Sequence, residues 1–224
     1  MINDLTIVIP VYNEGDNIDK IYTEIRKINR YVKIIFVDDY STDKQTINLL
    51  KTVKYTYLNA TYITSESKGQ QSAMLTGIKA ADTTYVGVID CDMQDPVKDL
   101  FKMYSLIKKE NKECVIGVRK TREDKLHRKI FAKTYYSILS KIAGHPVKET
   151  GEFFVIKQSA KDLLDSEYLR GSIEYNLGYI RDSLIFYKYN RVSRQYGKSH
   201  YSVKKLIILA KTGIKWTYRY YRKG

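Results

Sequence analysis

Residues 85–96 read YVGVIDCDMQDP, an apolar run that closes on Asp90, Asp92 and Asp95 with Gln94 between the last two. The apolar half, YVGVID at 85–90, has the length and composition of a buried strand. The acidic half needs a reason, because crowded carboxylates repel one another. In extended backbone Asp90 and Asp92 point to the same side and Cys91 turns away. Two such carboxylates, backed by the amide oxygen of Gln94, offer the hard oxygen donors that Mg²⁺ or Mn²⁺ takes. The competing reading is a solvated turn in which Asp95 caps a helix beginning after Pro96.

The same grammar recurs along the chain. LTIVIPV at 5–11 is a continuous apolar run closed by YNEGDN, a buried strand passing into a turn and a helix start. The helix expected over 16–29 carries Ile18, Ile21, Ile25 and Ile28 at helical spacing. KIIFVDD at 33–39 is a second strand that ends in acids. A polar helix to about residue 54, a short strand at 61–64 and a glycine-opened helix at 68–81 then lead to the strand at 85–90. A helix over 97–110 and the strand ECVIGV at 113–118 complete the regular half. Strands alternating with helices, each strand apolar on both faces, imply an α/β fold. The expectation is a mostly parallel sheet flanked by helices, with ligands met at the carboxyl ends of the strands. Tyr12, Asn13 and Glu14, then Asp38 and Asp39, then Asp90 and Asp92 all fall at those ends. In that company the cation reading outweighs the turn.

The second half is less regular. Residues 123–143 read as a basic amphipathic helix with Leu126, Ile130, Tyr135 and Leu139 among its apolar positions. FFVIK at 153–157 is strand-like, helices are expected near 158–168 and 172–182, and LIFYKY at 184–189 is another strand. No repeat or low-complexity stretch interrupts the chain, which favours one compact domain over 1–201. A helix over about 202–221 forms a separate basic, aromatic C-terminal element (202–224).

Charge is unevenly placed. Of a net +14, the segment Arg119–Lys148 holds nine basic and two acidic residues, and Arg191–Gly224 holds ten basic and none acidic. What remains is slightly acidic, so the partner is anionic and meets the second half. Cys91 and Cys114 form no metal-type spacing and no disulfide framework, which fits a reducing cytosol. The opening MINDLTIVIPVYNEG lacks the basic region of a secretion signal, and LIILA at 206–210 is too short to span a bilayer.

Taken in order, IVIPVYNEGDNI, IIFVDDYSTD, KGQQSAMLTGIKAAD, VGVIDCDMQDP and GVRKTRED resemble the family 2 glycosyltransferases of GT-A fold. The nearest likeness is to enzymes that load sugars onto polyprenyl phosphates, the dolichol-phosphate mannosyltransferase and undecaprenyl-phosphate sugar transferase kind. ETGEFFVIKQ resembles that group's Asp-x-Gly-(Asp)-Phe-Arg-Leu segment, and RQYGKSHYSVKK its Arg-x-x-Gly-x-Ser-Lys-Tyr ending. The resemblance implies that Pro10, Tyr12 and Glu14 line a nucleotide pocket, that Asp39 hydrogen-bonds the base and that Asp38 supports the loop. It implies that Asp90, Asp92 and Gln94 hold Mg²⁺ or Mn²⁺ on the donor diphosphate. Lys68, Arg194 and His200 would join the nucleotide-sugar site, while Arg119 and Arg128 would meet the acceptor phosphate. Asp92, Arg119 and Glu152 would form the catalytic set.

The chain departs from the pattern at five positions. Tyr40 stands where a small residue follows the paired acids, which narrows the pocket. Glu149 and Glu152 replace aspartates, Phe154 replaces an arginine, and His200 stands where a lysine follows the serine, making that charge pH-dependent. Many relatives end in two membrane-spanning helices. Here the last helix mixes aliphatics with lysines, arginines, Trp216 and tyrosines, a composition suited to an anionic membrane surface. The expected function is therefore metal-dependent, inverting transfer from a nucleotide-sugar donor to a polyprenyl phosphate lipid, peripherally on the cytoplasmic face of the membrane. One rival is a glycosyltransferase with a saccharide or other hydroxyl acceptor, which would need a true base. Another is nucleic-acid binding, which the strand-end acids oppose.

Overall fold

The computed structural model describes residues 2–120, 126–143, 152–160 and 183–192, together with Lys211, Ile214 and Tyr218, which are helical. Strands β1 (Leu5–Val11), β2 (Lys33–Asp38), β3 (Ala60–Thr64) and β4 (Tyr85–Val88) alternate with helices α1 (Gly15–Ile28), α2 (Lys44–Thr56) and α3 (Gln70–Ala80). Helix α4 (Val97–Lys109), β5 (Cys114–Arg119), α5 (Leu126–Ala143), β6 (Phe154–Lys157) and β7 (Leu184–Tyr189) follow, with a single 3₁₀ turn at Gln158–Ala160.

The strands form one sheet in the order β3-β2-β1-β4-β6-β5-β7. β1 pairs in parallel with β2 and with β4, β2 with β3, and β5 with β7. β6 runs antiparallel between β4 and β5. The sheet is thus mostly parallel, as the alternation of elements requires. The expectation that every strand is apolar on both faces fails at the rims: β3 and β7 are edge strands and remain half-exposed.

Period-two alternation sends side chains to two cores. Leu5, Ile7, Ile9 and Val11 of β1 pack with Ile34 and Phe36 of β2 against α1, α2 and α4. Val8, Ile35, Val37, Val86 and Val88 face the opposite way and meet Ala73, Met74 and Ile78 of α3. Ile18, Ile21 and Ile25 are buried as their spacing predicts, each such burial contributing about 2 kcal/mol. Ile28 instead lies exposed on the last turn of α1, where the chain leaves the sheet. Helix α3 approaches the sheet through Gly77, where an added Cβ would lie 2.3 Å from Val8 Cγ1 and 2.9 Å from Val37 Cγ2.

Several expectations lie outside the described residues: Glu149, Arg194, His200, the side chain of Arg128, the helix near 172–182 and the part of the 158–168 helix beyond Ala160. The same holds for the boundary near residue 201 and for the tail, apart from its three helical residues. Among the described residues no helix is long and apolar enough to cross a membrane.

Candidate active site

The sheet's topology gathers one edge from six segments. The carboxyl ends of β1, β2 and β4 deliver Tyr12–Glu14, Asp38–Asp39 and Asp90–Asp92 to the point where strand order reverses about β1. Because β6 is antiparallel, its beginning lies there too: Phe154 pairs with Val88, and Glu152 precedes it. β5 and β7 run with β4, so Arg119 and the residues after Tyr189 reach the same edge.

The loops at this edge are bent sharply. Asn13, Tyr40 and Met93 all have positive φ (55°, 59° and 61°), and they follow β1, β2 and β4 respectively. Asparagine tolerates this region, whereas for a tyrosine it is strained by about 1 kcal/mol. Asn13 holds the second loop in place. Its Oδ1 accepts from the backbone N–H of Thr42 (2.7 Å) and Asp43 (3.0 Å), and its own N–H donates to Ser41 Oγ at 3.1 Å. Asp38 accepts from the Ser41 N–H at 2.9 Å, the loop-supporting role expected of it. Asp39 turns the other way and accepts from the Gly69 N–H at 2.6 Å, which joins the β2 and β3 loops. Lys68 lies over the Tyr40 ring, its Nζ 5.9 Å from the centroid. Tyr12 and Tyr40 are 41% and 39% exposed and offer two aromatic surfaces at the rim. Pro10 is buried within β1 in register with Val37 and does not reach the open edge. Glu14 accepts from Asn17 Nδ2 at 2.6 Å, inside the first turn of α1.

Deeper in the edge the acids converge. Gln70 Nε2 donates to Asp90 Oδ1 at 2.7 Å, and Gln71 Nε2 donates to Glu152 Oε1, so the start of α3 orients one carboxylate on each side. The Gln94 N–H donates to Asp92 Oδ1 at 3.1 Å. Burial, and then the carboxylates of Glu152, Asp95 and Asp92, push the Asp90 carboxyl well above its ordinary value, against the pull of Arg191. Burial likewise raises the Cys91 thiol, which takes no part at the edge.

Arg191 is the residue that the sequence analysis missed. Its Nη2 lies 3.7 Å from Asp90 Oδ2 and 3.7 Å from Asp92 Oδ2, while Nε lies 3.1 Å from Asp95 Oδ1. Asp95 does not cap α4, which starts at Val97 behind Pro96 with no side-chain cap. It is buried and accepts from the Tyr189 hydroxyl. Burial and that carboxylate raise the Tyr189 pKa, and Arg119 holds it down from the other side. The chain Arg119–Tyr189–Asp95–Arg191 thus links the ends of β5 and β7 to the acids after β4. Arg191 counted only toward the basic tail because its strand end is defined by a pairing with β5 that no local pattern displays.

Among the described residues no set of three or more His, Cys, Asp or Glu is arranged to hold a metal ion. The site offers the Asp90–Asp92 pair with Gln94 beside it. Both carboxylates already face a common point, marked by the Arg191 Nη2, and they are hard oxygen donors. That fits Mg²⁺ or Mn²⁺ with remaining positions filled by water or phosphate oxygens.

Residues 6–187 match the family model described as glycosyl transferase family 2. Over 93% of its length the chain is 28% identical to the uncharacterized glycosyltransferase YkcC of Bacillus subtilis (strain 168). Over 67% it is 29% identical to the undecaprenyl-phosphate 4-deoxy-4-formamido-L-arabinose transferase of Pectobacterium atrosepticum. It spans 67% and 47% of those two proteins, respectively. A crystal structure of glucosyl-3-phosphoglycerate synthase from Mycobacterium tuberculosis, in complex with Mn²⁺, UDP-glucose and phosphoglyceric acid, superposes with a TM-score of 0.69 at 16% identity. That likeness covers 97% of this chain and 79% of the synthase, and it establishes the fold as GT-A. With the family model covering most of the sheet and all of the acidic edge, the chain belongs to glycosyl transferase family 2.

Proposed function

We propose that the chain transfers a sugar, with inversion, from a nucleotide-diphosphate donor to a polyprenyl phosphate, using Mg²⁺ or Mn²⁺. One observation carries the reading: at the carboxyl edge an Oδ2 of Asp90 and an Oδ2 of Asp92 both lie 3.7 Å from the same guanidinium nitrogen, so the two carboxylates converge on one positive centre. The undecaprenyl-phosphate transferase of Pectobacterium supports the acceptor class, as does the dodecaprenyl-phosphate galacturonate synthase of Rhizobium johnstonii.

In this reading Asp90, Asp92 and Gln94 hold the metal, which when bound neutralises charge on the donor diphosphate. Asp39, fixed by Gly69, accepts from the base, and Tyr12, Glu14 and Lys68 flank the nucleotide. Arg194 and His200 complete that site from the C-terminal segment. An acceptor phosphate oxygen forms the new bond to the anomeric carbon as the bond from that carbon to the diphosphate breaks, and the diphosphate leaves with the electron pair. Arg119 and Arg128 hold the acceptor phosphate. Glu152, oriented by Gln71, places a carboxylate against the positive charge that develops on the sugar ring. A phosphate arrives already ionised, so no strong base is needed. The basic tail would hold the enzyme on the cytoplasmic face of an anionic membrane, where such lipids reside. The test is a transfer screen of nucleotide sugars with and without undecaprenyl phosphate. Turnover confined to a saccharide acceptor refutes the lipid assignment.

A further inference from the structure

Arg191 is bound unequally to the acids around it. Toward Asp95 it is held more closely, with Nε in an ion pair 3.1 Å from Oδ1 but without a hydrogen bond, and Nη2 donating to Oδ2 at 3.5 Å. Asp95 is itself 3% exposed and braced by Tyr189, so the anchor is rigid. Toward Asp90 and Asp92 the guanidinium only leans: both gaps are 3.7 Å, within ion-pair range but beyond hydrogen bonding. The side chain is 19% exposed, so its outer nitrogen borders the open edge. The backbone beside it is clamped as well. The Val192 N–H donates to Gln94 O at 2.9 Å, and Gln94 Nε2 returns to Val192 O at 3.4 Å.

We propose that Arg191 is the resident cation of the donor site. Its Nη2 balances Asp90 and Asp92 while the site is empty of metal, gives way there to the divalent cation, and then contacts the leaving diphosphate while Asp95 retains the guanidinium. The inference rests on the function proposed above. The two weak contacts make the exchange easy, since no hydrogen bond to Asp90 or Asp92 is lost, and the Asp95 anchor keeps a positive group within reach of the phosphates. Among the described residues, Arg119 at the end of β5 meets Tyr189 instead.

This role makes two affinities move in opposite directions, which a merely structural arginine would not do. The probes are Mn²⁺ alone, followed by electron paramagnetic resonance, and UDP or GDP with saturating Mn²⁺, followed by calorimetry. In R191Q a competing positive charge is gone, so Mn²⁺ alone should bind about three- to tenfold more tightly. The diphosphate loses a charge-assisted hydrogen bond, so the nucleotide should bind about 10- to 100-fold more weakly. R191K covers the case in which R191Q does not fold. It keeps the charge, so Mn²⁺ affinity should stay within about threefold. A single ammonium cannot fork between Asp95 and a phosphate, so nucleotide binding should still weaken by about threefold or more. Both affinities falling together would make Arg191 a structural organiser and overturn the proposal, as would nucleotide affinity left unchanged. A wild-type chain that binds neither Mn²⁺ nor either nucleotide overturns the proposed function and this inference together. A wild-type chain that binds both, beside an indifferent R191Q, ends the inference alone.

Discussion

Asp90→Asn should make the metal-free protein more stable and the nucleotide-binding protein useless. Asp90 is only 20% exposed and shares its surroundings with three other carboxylates, Glu152, Asp95 and Asp92, and with the Arg191 guanidinium. At 3.7 Å and an effective dielectric near 20, that one attraction amounts to about 4 kcal/mol before desolvation is counted. Burial and three repulsions exceed it, because the net result is a carboxyl raised well above its ordinary value. Point substitutions typically move stability by about 0.5–3 kcal/mol, so the gain should read as a few degrees, about 2–4 °C in Tm per kcal/mol for a chain of this length. The sign follows from the raised value. The folded state binds the Asp90 proton more tightly than the unfolded chain does, so ionisation is no burden below the unfolded value of 3.8. The penalty grows as pH rises through the folded value. Asparagine carries no charge and can still accept from Gln70, so its advantage should vanish near pH 3.5 and be fullest near pH 8.5. Differential scanning calorimetry in EDTA across that range measures it. Added Mn²⁺ and nucleotide should then stabilise the wild type and leave Asp90→Asn unmoved. An Asp90→Asn protein less stable than wild type at pH 8.5 without metal would refute the argument, since it would make the carboxylate a structural acceptor.

Asp92→Asn should keep the fold and lose metal-dependent nucleotide binding, read by calorimetry with Mn²⁺; unchanged affinity would remove Asp92 from the metal set. Gly77→Ala should destabilise by about 1–3 kcal/mol in urea unfolding, because its Cβ would meet Val8 Cγ1 at 2.3 Å where α3 lies on the sheet. Glu152→Gln should slow transfer to undecaprenyl phosphate clearly less than the 10²–10⁴-fold that loss of a general base costs. Single-turnover rates from pH 6 to 9 decide this, and a larger loss rescued at high pH would mark Glu152 as a base and the acceptor as a hydroxyl. The intact chain should sediment with anionic vesicles at low salt and be released at high salt; a chain left in the supernatant at low salt would count against the tail's role.

How far these features could be read in advance depends on where their causes lie. The bounds of β1, α1, β2, α4 and β7 follow from local pattern, because strands buried on both faces and helices with one apolar stripe write their period into the chain. Direction does not leave such a trace. FFVIK looks like any other buried strand, yet β6 runs against its neighbours, and only that reversal brings Glu152 beside the end of β4. TYIT looks equally buried and lies at the rim, because edge position is set by strand order. At the site, Asp38, Asp39, Asp90 and Asp92 were legible as strand-end acids. Asp95 entered only the competing reading, as a helix cap, because nothing near it in sequence shows the Tyr189 hydroxyl that it must satisfy once both are buried. Arg191 belongs to the same blind spot, since its pairing with residues 90–95 spans about a hundred positions.

The arrangement also shows why this edge, rather than the opposite one, carries the chemistry. At the amino ends of the strands, charges are matched locally: Asp4 receives Lys108 at 2.8 Å and accepts from Tyr104, and its pKa falls. Lys33 and Asp82 pair at 2.7 Å in the same way. At the carboxyl ends Asp90, Asp92, Asp95 and Glu152 converge instead, and the Asp90 carboxyl is held well above its ordinary value in spite of Arg191. That crowding costs stability, and a fold selected for stability alone would relax it. In the proposed function a divalent cation on Asp90 and Asp92 would relieve that crowding, and the donor diphosphate it accompanies would meet Arg191. Crowded carboxylates at one rim, with locally paired charges at the other, are therefore physical grounds for proposing the donor site at the carboxyl edge.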